Sequence, residues 1–158
     1  MRNNSTFIDT QNVNLAIRDQ WWKLDWLKLF KHLKKKYLSE KNYIFIWYIP
    51  ENKKLYDFLE KIWYILIFKN VLILKNWKIK WNVDAELVLQ TMIDLNNFDK
   101  AIIITWDWDF ACLIRHLREI WKLRELIVPN KSKYSWFLKK AWSWLITSLT
   151  EKKNKLKK

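Results

Sequence analysis

The sequence predicts a three-layer α/β/α domain built on a central, mostly parallel sheet of about five strands. Three observations carry that expectation. Short apolar runs alternate with longer stretches whose apolar residues recur at helical spacing. The run Ala101-Ile102-Ile103-Ile104 is continuously apolar, as in a strand covered on both faces. The 158 residues are 51% hydrophobic and carry no internal repeat and no interior linker, which suits one domain with a real core. A repeated strand-helix rhythm of this kind folds as a parallel sheet sandwiched by helices.

Thr6-Phe7-Ile8 reads as the first strand, ending at Asp9. From Leu24 the residues Leu24, Leu27, Phe30, Leu33 and Tyr37 keep helical spacing. Tyr43 to Tyr48 is the second strand, and after Pro50 a helix carries Leu55, Phe58, Leu59 and Ile62 on one face. Tyr64 to Phe68 is the third strand. Val71 to Leu74 and Lys78 to Lys80 flank Asn76-Trp77 as the arms of a hairpin. Asp84 opens a helix whose stripe is Ala85, Val88, Leu89 and Met92. The Ala101 to Ile104 strand is followed by a helix through Phe110, Leu113, Ile114, Leu117 and Ile120, then by the strand Leu126-Ile127-Val128 before Pro129. A short helix near Phe137 and Leu138 leads to a last short strand around Leu145 to Leu149. The domain is expected to span residues 1–150, and the Lys-rich segment from Glu151 to Lys158 reads as a disordered tail.

Two residue counts are out of line together. The chain has no Gly and 13 Trp, where about 11 Gly are expected at the usual ~7%. Several Trp stand where the backbone asks for glycine. Trp77 sits in the hairpin turn, and Trp63 and Trp121 each follow a helical stretch where a left-handed residue is expected. Both anomalies are explained if the source organism reads UGA as glycine and Trp stands here at those codons. Keeping Trp22 and Trp26 and reading Trp21, Trp47, Trp63, Trp77, Trp81, Trp106, Trp108, Trp121, Trp136, Trp142 and Trp144 as glycine gives 11 Gly, the usual frequency.

Lys and Arg number 30 against 16 acids, a net charge of +14 that is only partly in the C-terminal segment. Such a field favours nucleic acid or an anionic membrane surface; a solvated Lys-rich surface is the plainer alternative. Cys112 is the one cysteine, which excludes a disulfide framework and a cysteine-based zinc site and leads to the expectation of a reducing, cytoplasmic setting. Cys112 itself reads as a small core residue. Residues 1–6 lack an apolar signal region and no apolar run approaches about 18 residues, so neither secretion nor membrane spanning is expected.

In a parallel sheet, function gathers at the carboxyl ends of the strands. Asp9 follows the first strand, Asp107 and Asp109 follow the Ile102 to Ile104 strand, and Asp84 sits where the hairpin enters its helix. Carboxylates brought together repel unless a cation neutralises them, and hard oxygen ligands suit Mg²⁺ or Mn²⁺. Taken singly, Asp84 reads equally as a helix N-cap, and Asp107 and Asp109 as turn or capping residues.

Three motifs in order resemble one family. Phe7-Ile8-Asp9-Thr10-Gln11-Asn12 resembles the F-I-D-x-x-N opening of NYN domains, the PIN-like relatives that include LabA-like proteins. Lys80-Trp81-Asn82-Val83-Asp84-Ala85-Glu86-Leu87-Val88 is similar to the family's central motif once Trp81 is read as Gly. Ile104-Thr105-Trp106-Asp107-Trp108-Asp109-Phe110 is similar to its S-G-D-x-D-F signature, with Gly at position 106. Thr10 departs from the pattern, because many relatives have glycine there. The resemblance implies a PIN-like fold and Mg²⁺- or Mn²⁺-dependent cleavage of RNA at Asp9, Asp84, Asp107 and Asp109, with Asn12 as a supporting polar group. Direct coordination then falls to Asp9 and Asp107, with Asp84 and Asp109 binding directly or through water.

Lys80, Arg115, Lys131 and Lys133, near the predicted strand ends, are the candidates for holding the RNA backbone, each with plain surface charge as its alternative. His116 stands seven residues past Asp109 on one helix, where a lone His is more often structural. The partners expected are RNA and, as an open alternative, a second copy of the chain in a homo-oligomer. No membrane and no nucleotide cofactor are expected. The rival function is a non-catalytic RNA-binding or regulatory module. A nucleotide-dependent Rossmann enzyme lacks its motif, since even with Gly restored no G-x-G-x-x-G or G-x-x-x-x-G-K-[ST] follows a strand. With literal Trp at 106 and 108, two indoles would flank Asp107 where backbone must approach metal and phosphate.

Overall fold

The computed structural model describes residues 3–69, 72–73, 79–80, 84–130 and 146–158. In chain order the elements are β1 (Asn4–Asp9), α1 (Thr10–Arg18), α2 (Trp26–Tyr37), β2 (Ser39–Trp47), α3 (Lys53–Lys61), β3 (Tyr64–Lys69), β4 (Leu72–Ile73), β5 (Ile79–Lys80), α4 (Asp84–Ile93), β6 (Ala101–Ile104), α5 (Ala111–Glu119), β7 (Leu123–Val128), β8 (Ile146–Ser148) and α6 (Lys153–Leu156). Short 3-10 turns stand at Pro50–Asn52, Trp108–Phe110 and Thr150–Lys152. Six strands form one sheet in the order β3-β2-β1-β6-β7-β8, every neighbouring pair parallel. The sheet thus has six strands where about five are expected, and β8 is the last short strand predicted around Leu145 to Leu149.

Strand order places the functional end. From β1 the chain builds outward through β2 and β3, then returns to the other side of β1 and builds outward through β6, β7 and β8. The direction of winding reverses between β1 and β6, and at such a switch point the carboxyl ends open a crevice. Ile8 pairs with Ile104, so Asp9 and Thr105 emerge side by side at that crevice.

The strands feed two cores because successive side chains alternate across the sheet. Phe7, Tyr43, Phe45, Ile103 and Leu126 pack with Leu87 of α4 and Leu113, Ile114 and Leu117 of α5. Ile8, Ile44, Ile46, Ile102 and Ile104 pack with Val13, Ile17, Leu29, Leu33 and Leu59 from α1, α2 and α3. All of these are buried at 4% exposure or less except Ile46 at 8%. The sheet is covered on both faces, as the unbroken Ala101 to Ile104 run predicts.

Several local expectations are corrected. Helix α1 has no counterpart in the sequence reading, although Val13, Ala16 and Ile17 are buried along one face and the Asp9 side chain caps it by accepting from the Asn12 N–H at 3.3 Å. Strand β2 starts at Ser39, four residues early, because its buried polar start finds partners: the Thr6 and Ser39 hydroxyls bond at 2.7 Å, and Ser39 donates to Asn42 at 3.0 Å. The face α4 turns inward is Leu87, Thr91 and Asp94. Thr91 donates to the Leu87 carbonyl at 2.7 Å, while Asp94 accepts from Tyr43 and Gln90. The expected stripe residues Leu89 and Met92 face outward. Cys112 is exposed rather than in the core, because α5 turns Leu113, Ile114 and Leu117 inward. The segment from Glu151 is helical rather than disordered. Its one apolar side chain, Leu156, is 1% exposed in the α1–α3 core, and Asp25 N–H donates to the Leu156 carbonyl at 2.9 Å. Charge composition hid that anchor. β4 and β5 pair antiparallel as the hairpin arms; its turn at Asn76-Trp77 and the helix expected near Phe137 and Leu138 lie outside the described residues.

Candidate active site

Asp9 ends β1 at 3% exposure, and its carboxylate is positioned by two neighbours. The Asn12 backbone N–H donates to Oδ1 at 3.3 Å, and the Asn12 amide nitrogen donates to Oδ2. The Thr105 hydroxyl, fully buried where β6 ends, donates to the same Oδ2 at 3.0 Å. Asp9 thus serves twice, as the last residue of a strand and as the cap of the helix that follows. That local economy is why Asn12, three residues on, faces back at it.

Thr105 joins the two strand ends. Its oxygen accepts from the Asp107 backbone N–H at 3.1 Å and stands 3.4 Å from the donating Asn12 amide. A hydroxyl has one proton and two lone pairs, so Thr105 is fully used in holding Asp9, Asn12 and Asp107 together. Asp107 in turn caps the 3-10 turn, its Oδ1 accepting from the Asp109 N–H at 3.0 Å. Asp109 lies exposed in that turn. Sequence reasoning missed Thr105; the signal was its place as the first polar residue after an apolar strand, opposite Asp9 in the β1–β6 register.

The remaining candidates fall as follows. Asp84 opens α4, which packs against β1 and the Trp108–Phe110 turn. Lys80 ends β5. Arg115 and His116 are exposed on α5. Lys131 and Lys133 lie outside the described residues. Trp106, expected to flank Asp107 if literally present, does so with its indole Nε1 donating to the Asn12 amide oxygen at 2.9 Å, so it occupies the mouth of the site; Trp108 is 62% exposed.

The donors here are carboxylate, amide and hydroxyl oxygens, the set that suits a hard divalent cation rather than zinc or copper. Asp9 ends β1, and Asp107 lies three residues past the end of the neighbouring β6. Among the described residues no three His, Cys, Asp or Glu side chains converge in one cluster, and the Asp84 side chain is not among those described. Among the same residues, no helix is long and apolar enough to cross a membrane.

An α/β/α sheet with acids at its switch point has the architecture of the PIN-like nucleases. The sequence matches the NYN domain over residues 4–146, and the chain belongs to that family. Its fold is similar to the crystal structure of a protein of unknown function from Vibrio parahaemolyticus, with a TM-score of 0.79 at 12% identity, covering 99% of this chain and 96% of that one. No curated protein matches the sequence.

Proposed function

We propose that this chain is a metal-dependent ribonuclease whose site is built on Asp9 and Asp107. The observation that carries the reading is the bridging of the β1 and β6 ends by Thr105, which fixes Asp9, Asn12 and the start of the Asp107 turn in one crevice. Membership of a nuclease-fold family and a net charge of +14 support it.

In this reading Asp9 and Asp107 hold Mg²⁺ or Mn²⁺, with Asp84 and Asp109 as further ligands directly or through water. Such an ion lowers the pKa of a bound water and stabilises the charge that develops on phosphate oxygens. The chain's own residues do the positioning. Asn12 and Thr105 fix the plane of the Asp9 carboxylate, and Asp109 stands in an exposed turn at the edge of the crevice. Lys80, Arg115, Lys131 and Lys133 hold the phosphate backbone. The setting proposed is the cytoplasm.

One observation favours a second reading, an RNA-binding module that does not cut. With the Trp106 indole bonded to Asn12, the crevice mouth is occupied. The deciding experiment is cleavage of end-labelled single-stranded RNA in Mg²⁺, Mn²⁺ and EDTA by the chain and by its W106G/W108G form. Each is run beside an added Asp107→Asn substitution. Metal-dependent cutting that Asp107→Asn reduces about 10²–10³-fold, the scale of several kcal/mol of charge stabilisation, supports the nuclease. Tight binding with no cutting by the W106G/W108G form moves the assignment to the binding module.

A further inference from the structure

We infer that Trp21, Trp63 and Trp121 are glycine in the protein as its source organism makes it, and that Trp106 at the crevice mouth is glycine by the same codon rule. Four described residues have positive φ: Trp21 at 57°, Leu38 at 53°, Trp63 at 73° and Trp121 at 60°. Three of the four are the bulkiest residue there is, in a region that Cβ makes unfavourable and that glycine enters freely.

The three tryptophans also share one structural position. Trp21 follows α1, Trp63 follows α3 and Trp121 follows α5. Each donates its backbone N–H to the carbonyl three residues back, to Arg18 at 3.0 Å, Glu60 at 2.9 Å and Arg118 at 3.0 Å. A left-handed residue leaving a helix is where glycine is most enriched. Packing offers no reason for an indole at any of them, since they are 94%, 79% and 82% exposed. Trp22 and Trp26 behave in the opposite way. They are 8% and 9% exposed, they belong to the α1–α3 core, and neither has positive φ. Backbone conformation and burial therefore separate these five tryptophans without reference to composition, while Trp47, 7% exposed in the core and without positive φ, falls with Trp22 and Trp26 rather than with the glycine reading. A chain with 13 Trp and no Gly is the result expected if every glycine of the gene is written with the one codon that is read here as Trp.

The consequence reaches the crevice. Trp106 is the residue whose indole ties up the Asn12 amide oxygen. Glycine there removes that bond, leaves the Asn12 amide nitrogen on Asp9 and Thr105 while releasing its oxygen, and lets backbone approach a ligand beside Asp107. The glycines at the helix exits are required by the backbone whatever the domain's activity.

The codons and the protein test this together. In the gene, UGA is expected at positions 21, 63, 106 and 121 and UGG at 22 and 26. Peptides of the protein purified from its own cells should carry the mass of glycine at the first four positions and of tryptophan at the other two. UGG codons at 21, 63 and 121, or peptides with tryptophan at any of those three, overturn the inference. Glycine at those three with tryptophan at 106 removes its extension to the crevice.

Discussion

Replacing Trp21, Trp63 and Trp121 by glycine should make this protein more stable, the reverse of what deleting three large aromatic side chains does elsewhere. Holding an L-residue in the left-handed region costs roughly 1–2 kcal/mol, which glycine does not incur. Glycine gives back about 0.5–1 kcal/mol through its greater freedom in the unfolded chain. The indoles are 79–94% exposed, so almost no burial is lost. The net gain is therefore about 0.5–1 kcal/mol at each site. The three sites terminate different helices, so the gains should add to about 1.5–3 kcal/mol. For a chain of this size that is a rise of roughly 3–12 °C in Tm. Urea unfolding followed by far-UV circular dichroism, which reports chiefly on helix and sheet content, should show a higher midpoint at unchanged slope. Trp22→Gly in the same assay should lose about 3–5 kcal/mol, since that indole fills the core. A triple variant with an unchanged or lower midpoint would refute the backbone reasoning.

Other outcomes follow from the same geometry. Thr105→Val removes one donor to Asp9 and the side-chain acceptor of the Asp107 N–H; it should lower Mn²⁺ affinity about 10–100-fold, with Thr105→Ser restoring it, as a purely structural role for the methyl group would not. Burial, then Lys152, Lys36 and Lys155, hold the His32 imidazole below its usual 6.5. Below pH 6.5 the unfolded chain binds a proton that the native state resists. Stability is therefore full above that pH and falls as pH drops toward the lowered native value, and His32→Gln should flatten that slope in unfolding midpoints taken from pH 5 to 8. RNA affinity should fall steeply with salt, and Arg115→Ala should reduce the log-log slope by roughly 0.7, the increment for one phosphate contact on a single strand. An unchanged slope removes Arg115 from the RNA path.

The fold was legible wherever apolar periodicity carried it. The Ala101 to Ile104 run, the α5 face and the parallel architecture follow from patterns that hydrophobic burial imposes. What escaped was structure held by polar groups. The start of β2 stands on Ser39, Asn42 and Thr6, α1 is capped by an aspartate that otherwise reads as a strand end, and α4 turns Thr91 and Asp94 inward because each finds a hydrogen bond. One leucine in a run of lysines, Leu156, ordered a segment whose composition reads as disordered. At the crevice, strand-end position pointed to Asp9 and Asp107 and the family resemblance to Asn12, but Thr105 emerged only from the β1–β6 register, which brings together residues 96 apart in sequence. The left-handed tryptophans at 63 and 121 were readable from the helix ends alone. Trp21 was not, since α1 itself had no apolar pattern long enough to see.

In the proposed mechanism a divalent ion held by Asp9 and Asp107 contacts the phosphate that is cut. A single phosphorothioate placed at the mapped cleavage position of an RNA substrate tests this most directly, because sulfur binds Mg²⁺ poorly and Mn²⁺ better. Sulfur is expected to slow cleavage in Mg²⁺ and Mn²⁺ to restore it, in the W106G/W108G protein and not in its Asp9→Asn form. Cleavage equally slow in both ions, or cutting that persists in EDTA, would contradict it.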